Sequence, residues 1–247
     1  MAKKWPSVAL TIFLILLWQV AAMIISAAYI LPSPIQILVK IWDLRKNLFL
    51  VQLPATMSVT FIGLLISIVF GLALAVIMDL NKKIADAVYP IVIASQTIPT
   101  TAIAPLFVLW FGYSIWSRVL VTILITFFPI TITVYDGFRS TKREMEELLI
   151  TYGARKTDIF FKLKIPSALP YFFSAIKMAI PLSVIGAAIA EWLGAQSGLG
   201  YFSKRMMTQL DGAGVFAPIV LLSVTAMVAV AIVGILEEKC IKWRKDI

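Results

Sequence analysis

Six stretches of mostly apolar residues alternate with short polar segments along the chain. A helix needs about 20 apolar residues to cross the hydrocarbon core of a bilayer. Each stretch meets that length, so the pattern predicts an all-α membrane protein with six transmembrane helices. The predicted spans cover residues 6–28, 55–78, 88–110, 118–138, 168–193 and 214–236.

The composition agrees with this class and excludes others. Of the 247 residues, 61% are apolar and 14% are charged, whereas a soluble domain has about half apolar and about a quarter charged residues. Soluble enzymes and nucleic-acid-binding modules are therefore excluded, and the expected surroundings are membrane lipid. The chain has no histidine and a single cysteine, Cys240. Without the commonest general base and metal ligand, we predict no catalytic residue, no metal site and no nucleic-acid partner.

The basic residues are distributed unevenly between the loops, which indicates the orientation. The chain has 22 Lys and Arg against 13 Asp and Glu. If the N-terminus is cytoplasmic, 15 of the basic residues lie in the inner segments and 6 in the outer segments. Cytoplasmic loops carry the excess of Lys and Arg, so both termini are predicted inside. Lys3 and Lys4 also resemble the start of a signal peptide, but the long apolar run that follows favours a retained anchor.

The third predicted span contains a polar stretch, residues 95–101, around Pro99. Polar residues at membrane depth either line a water-filled path or form hydrogen bonds between helices. Both interpretations stay open for Gln96, Thr97 and Thr100, which are the candidate residues of a solute path.

Glu191, at the outer end of the fifth span, is the one acidic residue that is a further candidate for the path. The alternative is a structural carboxylate paired with a cation of the adjoining loop. Beyond these positions the spans offer no evident series of buried ionisable groups. Such groups often form the relay of an ion-coupled carrier, so their absence disfavours a secondary transporter.

The longest inner loop, 139–167, alternates charged with apolar residues. An acidic turn opens a predicted helix whose Leu148, Leu149 and Tyr152 share one face. Gly153 is predicted to stop this helix, and a second short helix is predicted from about Thr157 to a break at Pro166. Two amphipathic helices around a glycine form a docking element for a partner's groove. The alternative is a pair of helices lying on the lipid surface.

This loop resembles the EAA loop of ABC-importer permeases, whose pattern is E-A-A, three residues, G, nine residues, I-x-L-P. The glutamate, glycine and proline match at the family's spacing, and the other positions carry apolar replacements. The resemblance implies that the loop contacts an ATPase. The residues that it assigns to this coupling role are Glu147, Leu148, Leu149, Gly153, Ala154, Leu163, Ile165 and Pro166.

Other stretches are similar to binding-protein-dependent permeases for nitrate, taurine, aliphatic sulfonates and thiamine-pyrimidine precursors. They are Leu31-Pro32-Ser33-Pro34, the segment from Ile98-Pro99 to Trp110-Phe111-Gly112, and Glu191 with Gly198-Leu199-Gly200. Residues 190–201 look most like the thiamine-precursor branch.

The resemblance implies the type I ABC-importer permease fold and a non-catalytic membrane subunit. The implied partners are a second permease copy in a homodimer, two cytosolic ATPase subunits and an external solute-binding protein. ATP and Mg²⁺ would be held by the ATPase, and the chain itself has no G-x-x-x-x-G-K-[ST] phosphate loop among its twelve glycines. The expected location is the inner or plasma membrane.

The same resemblance divides the chain into three parts. They are an N-terminal transmembrane helix with an outer linker, 1–52, an importer transmembrane domain, 53–237, and a basic cytoplasmic tail, 238–247. The function expected is that of a permease which passes a small solute from the binding protein across the membrane. A secondary transporter and a membrane scaffold without a transport path are the alternatives.

Overall fold

The computed structural model describes residues 5–242, and in this part of the chain helices and short turns account for the fold. The helices are α1 (Trp5–Ile25), α2 (Pro34–Asp43), α3 (Arg45–Asn47), α4 (Leu53–Leu80), α5 (Lys82–Ser95), α6 (Thr100–Phe111), α7 (Ile115–Arg139), α8 (Arg143–Thr151), α9 (Lys156–Ile159), α10 (Ile165–Gly194), α11 (Leu199–Thr208) and α12 (Gly212–Cys240). Lys3, Lys4, Arg244 and Lys245, which are counted above among the inner basic residues, lie outside the described residues.

Five helical segments are long and apolar enough to cross a membrane, which confirms five of the six predicted spans. They are Trp5–Ile25, Arg45–Leu80, Ile115–Arg139, Lys156–Gly194 and Gly212–Cys240. The predicted domain boundaries at 52/53 and 237/238 both fall inside these continuous helices. The division into three parts stays a prediction.

The third predicted span, 88–110, is a broken helix. It consists of α5 and α6, which are bent by 93° at residues 96–99. The break follows from Pro99, whose ring disfavours helical backbone at the preceding Ile98 and which itself has extended backbone before α6. The hydroxyls of Ser95 and Thr97 donate to the carbonyls of Val92 and Ala94, both at 2.7 Å.

The predicted helix break at Pro166 is wrong, whereas the predicted start at about Thr157 is confirmed to within one residue. The second helix of the loop begins at Lys156, where the Asp158 carboxylate accepts the Arg155 N–H at 3.2 Å. It then runs through Pro166 to Gly194 without interruption. A π-helical turn, Phe160–Lys164, directly precedes this proline, and its wider pairing accommodates a residue that has no N–H.

The core of the bundle is formed by α4, α7 and α10. Small residues let these helices approach closely, as is usual in membrane bundles. A Cβ on Gly71 would lie 2.9 Å from the side chain of Ile130. The Ser67 and Thr126 hydroxyls share a buried hydrogen bond of 2.6 Å between α4 and α7.

The first helix, α1, hardly contacts this core. Its apolar side chains are exposed over nearly its whole length, and the Trp18 ring lies 5.9 Å from that of Phe216 in α12. An apolar helix that is bare on most sides belongs in lipid or against another membrane protein.

Candidate coupling surface and solute path

The inner loop folds into a hairpin of α8 and α9, which we call the coupling hairpin (residues 143–159). Its turn has the geometry that requires glycine. Gly153 has a φ of +82°, its N–H donates to the Ile150 carbonyl at 2.8 Å, and the Ala154 N–H donates to the Leu149 carbonyl at 3.0 Å. These two bonds form a Schellman motif. The predicted helix stop at Gly153 is therefore confirmed.

The coupling hairpin exposes apolar side chains at the end of the bundle. Leu148 is 49% exposed and Tyr152 is 82% exposed, while Leu149 is half-buried. Beside the turn lies a depression of about 260 Å³, and its wall includes Leu149, Tyr152, Gly153 and Ala154. Asp158 and Lys162 complete the wall of this depression, which is the candidate docking surface.

Glu147 lies on the solvent side of α8. Its carboxylate is paired with the Arg143 guanidinium one turn earlier, at 2.8 Å, and both side chains are well exposed. An exposed pair with this spacing contributes only about 0.3–0.5 kcal/mol. Glu147 is therefore free to exchange this partner for a group on another protein.

The remaining coupling candidates lie at the foot of the hairpin. Leu163, in the π-helical turn, and Ile165 and Pro166, at the start of α10, are half-buried. The Phe160 ring of the same turn lies 5.6 Å from the ring of Phe138. Of the eight candidates, Glu147, Leu148 and Gly153 are thus exposed on the hairpin, and the other five are half-buried.

The polar candidates of the third span lie at the 93° bend. Gln96 and Thr97 are exposed and Thr100 is half-buried. At the bend the N–H groups of Gln96 and Thr97 donate to the carbonyls of Ile93 and Ala94, at 3.1 and 3.0 Å.

Glu191 is 1% exposed and holds the outer glycine-rich loop. Its carboxylate accepts the Gly200 N–H at 2.8 Å. Lys204, a cation of the helix that follows this loop, donates to the Trp192 carbonyl at 2.7 Å.

Two polar residues of the second membrane helix complete this anchor, and the sequence reasoning missed both. Gln52 accepts the Gly198 N–H and the Thr56 hydroxyl oxygen accepts the Leu199 N–H, each at 2.8 Å. Both side chains are buried. In the sequence they are only a glutamine and a threonine at the outer end of an apolar run. Nothing in that pattern indicates their partners, which lie 146 and 143 residues further along the chain. We call Gln52, Thr56, Glu191 and residues 198–200 the outer anchor.

The sequence profile of the family described as "Binding-protein-dependent transport system inner membrane component" matches residues 67–242. The chain belongs to this family of ABC-importer permeases.

Known relatives agree with this assignment. The chain is 51% identical over 248 residues to the "Formylaminopyrimidine transport permease protein ThiX" of Halalkalibacterium halodurans, with 99% of each chain covered. It is 34% identical to a "Probable ABC transporter permease protein" of Haemophilus influenzae, with 85% of each chain covered. It is 28% identical to the "Putative aliphatic sulfonates transport permease protein SsuC" of Bacillus subtilis, with 94% of this chain and 85% of that chain covered.

A solved structure shows the same fold. An inward-facing form of the MetNI methionine ABC transporter matches with a TM-score of 0.64 at 19% identity, covering 82% of this chain and 96% of that chain. The predicted type I permease fold and the predicted function, the membrane subunit of an ABC importer, are thereby confirmed. A secondary transporter and a scaffold without transport are set aside. The chain is a multi-pass membrane protein of a system whose other parts are an ATPase and a solute-binding protein.

Proposed function

We propose that this permease imports a formylaminopyrimidine. The observation that carries the proposal is the 51% identity, over nearly the full length of both chains, to a relative whose name states that solute. The relative named for sulfonates is 28% identical, which makes its solute the weaker candidate.

The test is uptake into proteoliposomes that contain this permease, its ATPase and its binding protein. ATP-dependent uptake of labelled formylaminopyrimidine, undiminished by excess taurine, an alkanesulfonate or nitrate, is the expected result. Uptake of a sulfonate or nitrate with no uptake of the pyrimidine would contradict the assignment of the solute.

The proposed assembly contains two copies of this chain, two ATPase subunits on the cytoplasmic side and a binding protein outside, in a lipid bilayer. The bare apolar faces of α1 and of the coupling hairpin support additional partners on both the membrane and the cytoplasmic side. The mass of the complex purified in a lipid nanodisc, measured by native mass spectrometry, should equal two permeases and two ATPases.

The proposed energy transfer runs through the coupling hairpin. Leu148 and Leu149 fill an apolar groove of the ATPase, Glu147 forms an ionic or capping contact there, and Gly153 supplies the turn. Leu163, Ile165 and Pro166 join the hairpin to α10, so that movement of the docked hairpin shifts the helix as a rigid body.

Gly153→Val tests this transfer, because a branched side chain strains a backbone with positive φ. Coupled uptake should fall at least about tenfold, which corresponds to about 1.4 kcal/mol of lost coupling, and less ATPase should be recovered with the permease. Gly112→Val is the matched control, since Gly112 has a φ of +66° and, like Gly153, no described atom within 4 Å of an added Cβ. Glu147→Lys should show the same loss as Gly153→Val. Full uptake by both loop variants would remove the coupling role.

The proposed orientation places both termini in the cytoplasm. In a chain whose exposed Cys240 is replaced by Ser, cysteines introduced at Asn81 and Lys156 should react only with reagents that reach the inside. Cysteines at Lys46 and Lys204 should react from outside. All four positions are exposed, so failure to react would report the side of the membrane and not burial.

The proposed solute path runs along the bend of the third span, with Gln96, Thr97 and Thr100 on its wall and Glu191 at its outer edge. Single cysteines at the three polar positions, in a chain with Cys240→Ser, should be modified by water-soluble reagents in at least one nucleotide state of the complex. A cysteine at Ile91, which is exposed on α5, is the control for reaction from lipid. Protection of all three positions in every state would favour hydrogen bonding between helices instead.

A further inference from the structure

A lysine at the foot of the coupling hairpin joins three helical segments. The Lys164 ammonium donates to both carboxylate oxygens of Asp79, at 2.9 and 3.1 Å, and lies 3.7 Å from a carboxylate oxygen of Glu146. Asp79 belongs to the last turn of α4, Glu146 to α8, and Lys164 to the π-helical turn before α10. We call these three residues the Lys164 junction.

The junction is shielded from water, unlike the other ion pairs of the loop. The exposed fractions of its side chains are 19% for Lys164, 6% for Asp79 and 32% for Glu146. Lys162 and Asp158 form a local pair one turn apart, and the Lys162 side chain is 77% exposed. A local exposed pair contributes little, whereas removing one member of a buried pair leaves an uncompensated charge.

Glu146 is itself held in place. The Thr141 hydroxyl donates to its carboxylate at 3.0 Å, so the side chain that faces Lys164 is fixed at the start of the hairpin. Lys164 therefore connects α8, through Glu146, with the inner end of α4, through Asp79. Among the described residues, the Lys164 junction is a polar link between the coupling hairpin and α4.

We infer that Lys164 is a positioning residue which transmits movement of the coupling hairpin to α4, in addition to the movement that α10 receives through the chain. This inference rests on the proposed docking of the hairpin on the ATPase. Because α4 packs on α7 and α10 through the bundle core, such a link makes the helices move as one unit when the hairpin moves. Without Lys164 the ATPase still docks, but hydrolysis is no longer matched to transport.

The test uses the complete importer in proteoliposomes and measures solute uptake per ATP hydrolysed. Lys164→Met should leave ATPase recovery within twofold of wild type but lower uptake per ATP at least about fivefold, the lower limit of a typical coupling effect. Lys164→Arg should restore at least half of the wild-type ratio. Lys83→Met, the control that removes an exposed lysine at the start of α5 and outside the hairpin, should keep the wild-type ratio.

A role in stability alone would reduce the amount of complex without changing uptake per ATP, so a wild-type ratio in Lys164→Met overturns the inference. If Lys164→Met is recovered poorly, uptake per ATP is measured in Asp79→Asn instead, because this variant removes the charge of Asp79 at nearly constant side-chain volume. A wild-type value in Asp79→Asn would then overturn the inference. The two proposals are separable. If Gly153→Val loses the ATPase but Lys164→Met keeps the wild-type uptake per ATP, the inference about Lys164 is wrong and the docking proposal stands. If Gly153→Val has wild-type uptake, the docking proposal itself is wrong.

Discussion

The coupling hairpin and the outer anchor both connect membrane helices, but they differ in how their polar and apolar groups are covered. In the outer anchor, buried Gln52, Thr56 and Glu191 accept backbone N–H groups of the glycine-rich loop. The helix that follows, α11, buries Leu199 and Phe202 against its own chain. The coupling hairpin instead leaves Leu148 and Tyr152 in solvent. The outer segment folds on contacts from within the chain, and the inner segment leaves apolar surface exposed, which the proposed docking on an ATPase would cover.

The two turns also differ in how they use glycine. Gly198 has a φ of +126° and an added Cβ would overlap the Glu191 carboxylate, whereas an added Cβ on Gly153 meets no described atom within 4 Å. The first glycine is required by backbone conformation and by packing, and the second by conformation alone. This difference makes the comparison testable by the same substitution at both positions.

The largest expected effect is that of Gly198→Ala. It should lower the free energy of unfolding by about 3 kcal/mol or more, since strain at a glycine-only conformation adds to a buried overlap. Gly153→Ala should lower it by only about 1–2 kcal/mol, the cost of a left-handed residue. Thermal unfolding in detergent, followed by tryptophan fluorescence, measures both. Equal destabilisation would contradict the packing argument for the outer anchor.

Glu191 gives the next largest effect. Glu191→Ala removes the acceptor of the Gly200 N–H and should cost about 1–3 kcal/mol, the penalty of an unsatisfied buried group. Glu191→Gln keeps an acceptor oxygen at the same distance from the backbone, so it should be more stable than Glu191→Ala. Its uptake rate should stay within about threefold of the wild-type rate, a difference of less than about 1 kcal/mol in activation free energy. Loss of uptake in a stable Glu191→Gln protein would show that the negative charge itself contacts the solute.

Leu148→Ala should separate binding from stability. As an exposed residue it should change the free energy of unfolding by less than about 0.5 kcal/mol, but it should weaken ATPase binding by about 1–2 kcal/mol as an interface anchor. Leu50→Ala, a substitution at a leucine that is 74% exposed before α4, should leave ATPase binding unchanged. Binding of the purified ATPase to permease in nanodiscs measures the difference, and an equal effect of the two substitutions would count against the hairpin.

The smallest expected effect is a pH dependence at the outer face, where the Lys40 ammonium lies 2.6 Å from the Asp211 carboxylate. Burial raises the pKa of Asp211, but the Lys40 and Gly214 donors outweigh it and hold the pKa below the ordinary value of 3.8. The pair therefore stabilises the fold above pH 3.8, and this contribution is lost as the pH falls below that value. It should amount to at most about 1 kcal/mol. Lys40→Met should reduce the corresponding fall in unfolding temperature between pH 5 and pH 3.

The local features of the fold could be predicted because their signals lie close together in the chain. Apolar run length predicted the spans, since bilayer thickness sets helix length. Gly153 predicted the hairpin turn, since a left-handed residue after a helix is nearly always glycine or asparagine. Proline was the ambiguous signal. Pro99 interrupts its span, whereas Pro166 follows a π-helical turn and lies inside a continuous helix.

The amino-acid sequence by itself determined that the chain is a helical membrane protein, where its spans lie, and that an amphipathic hairpin turns at Gly153. The tertiary structure alone decided the 93° angle of the broken span, the partners of Glu191 and the link between Lys164 and Asp79. Asp79 and Lys164 are 85 residues apart, and Gln52 and Gly198 are 146 apart. Hydropathy and helix signals depend on neighbouring residues, but a buried polar group finds its partner only when packing brings distant helices together.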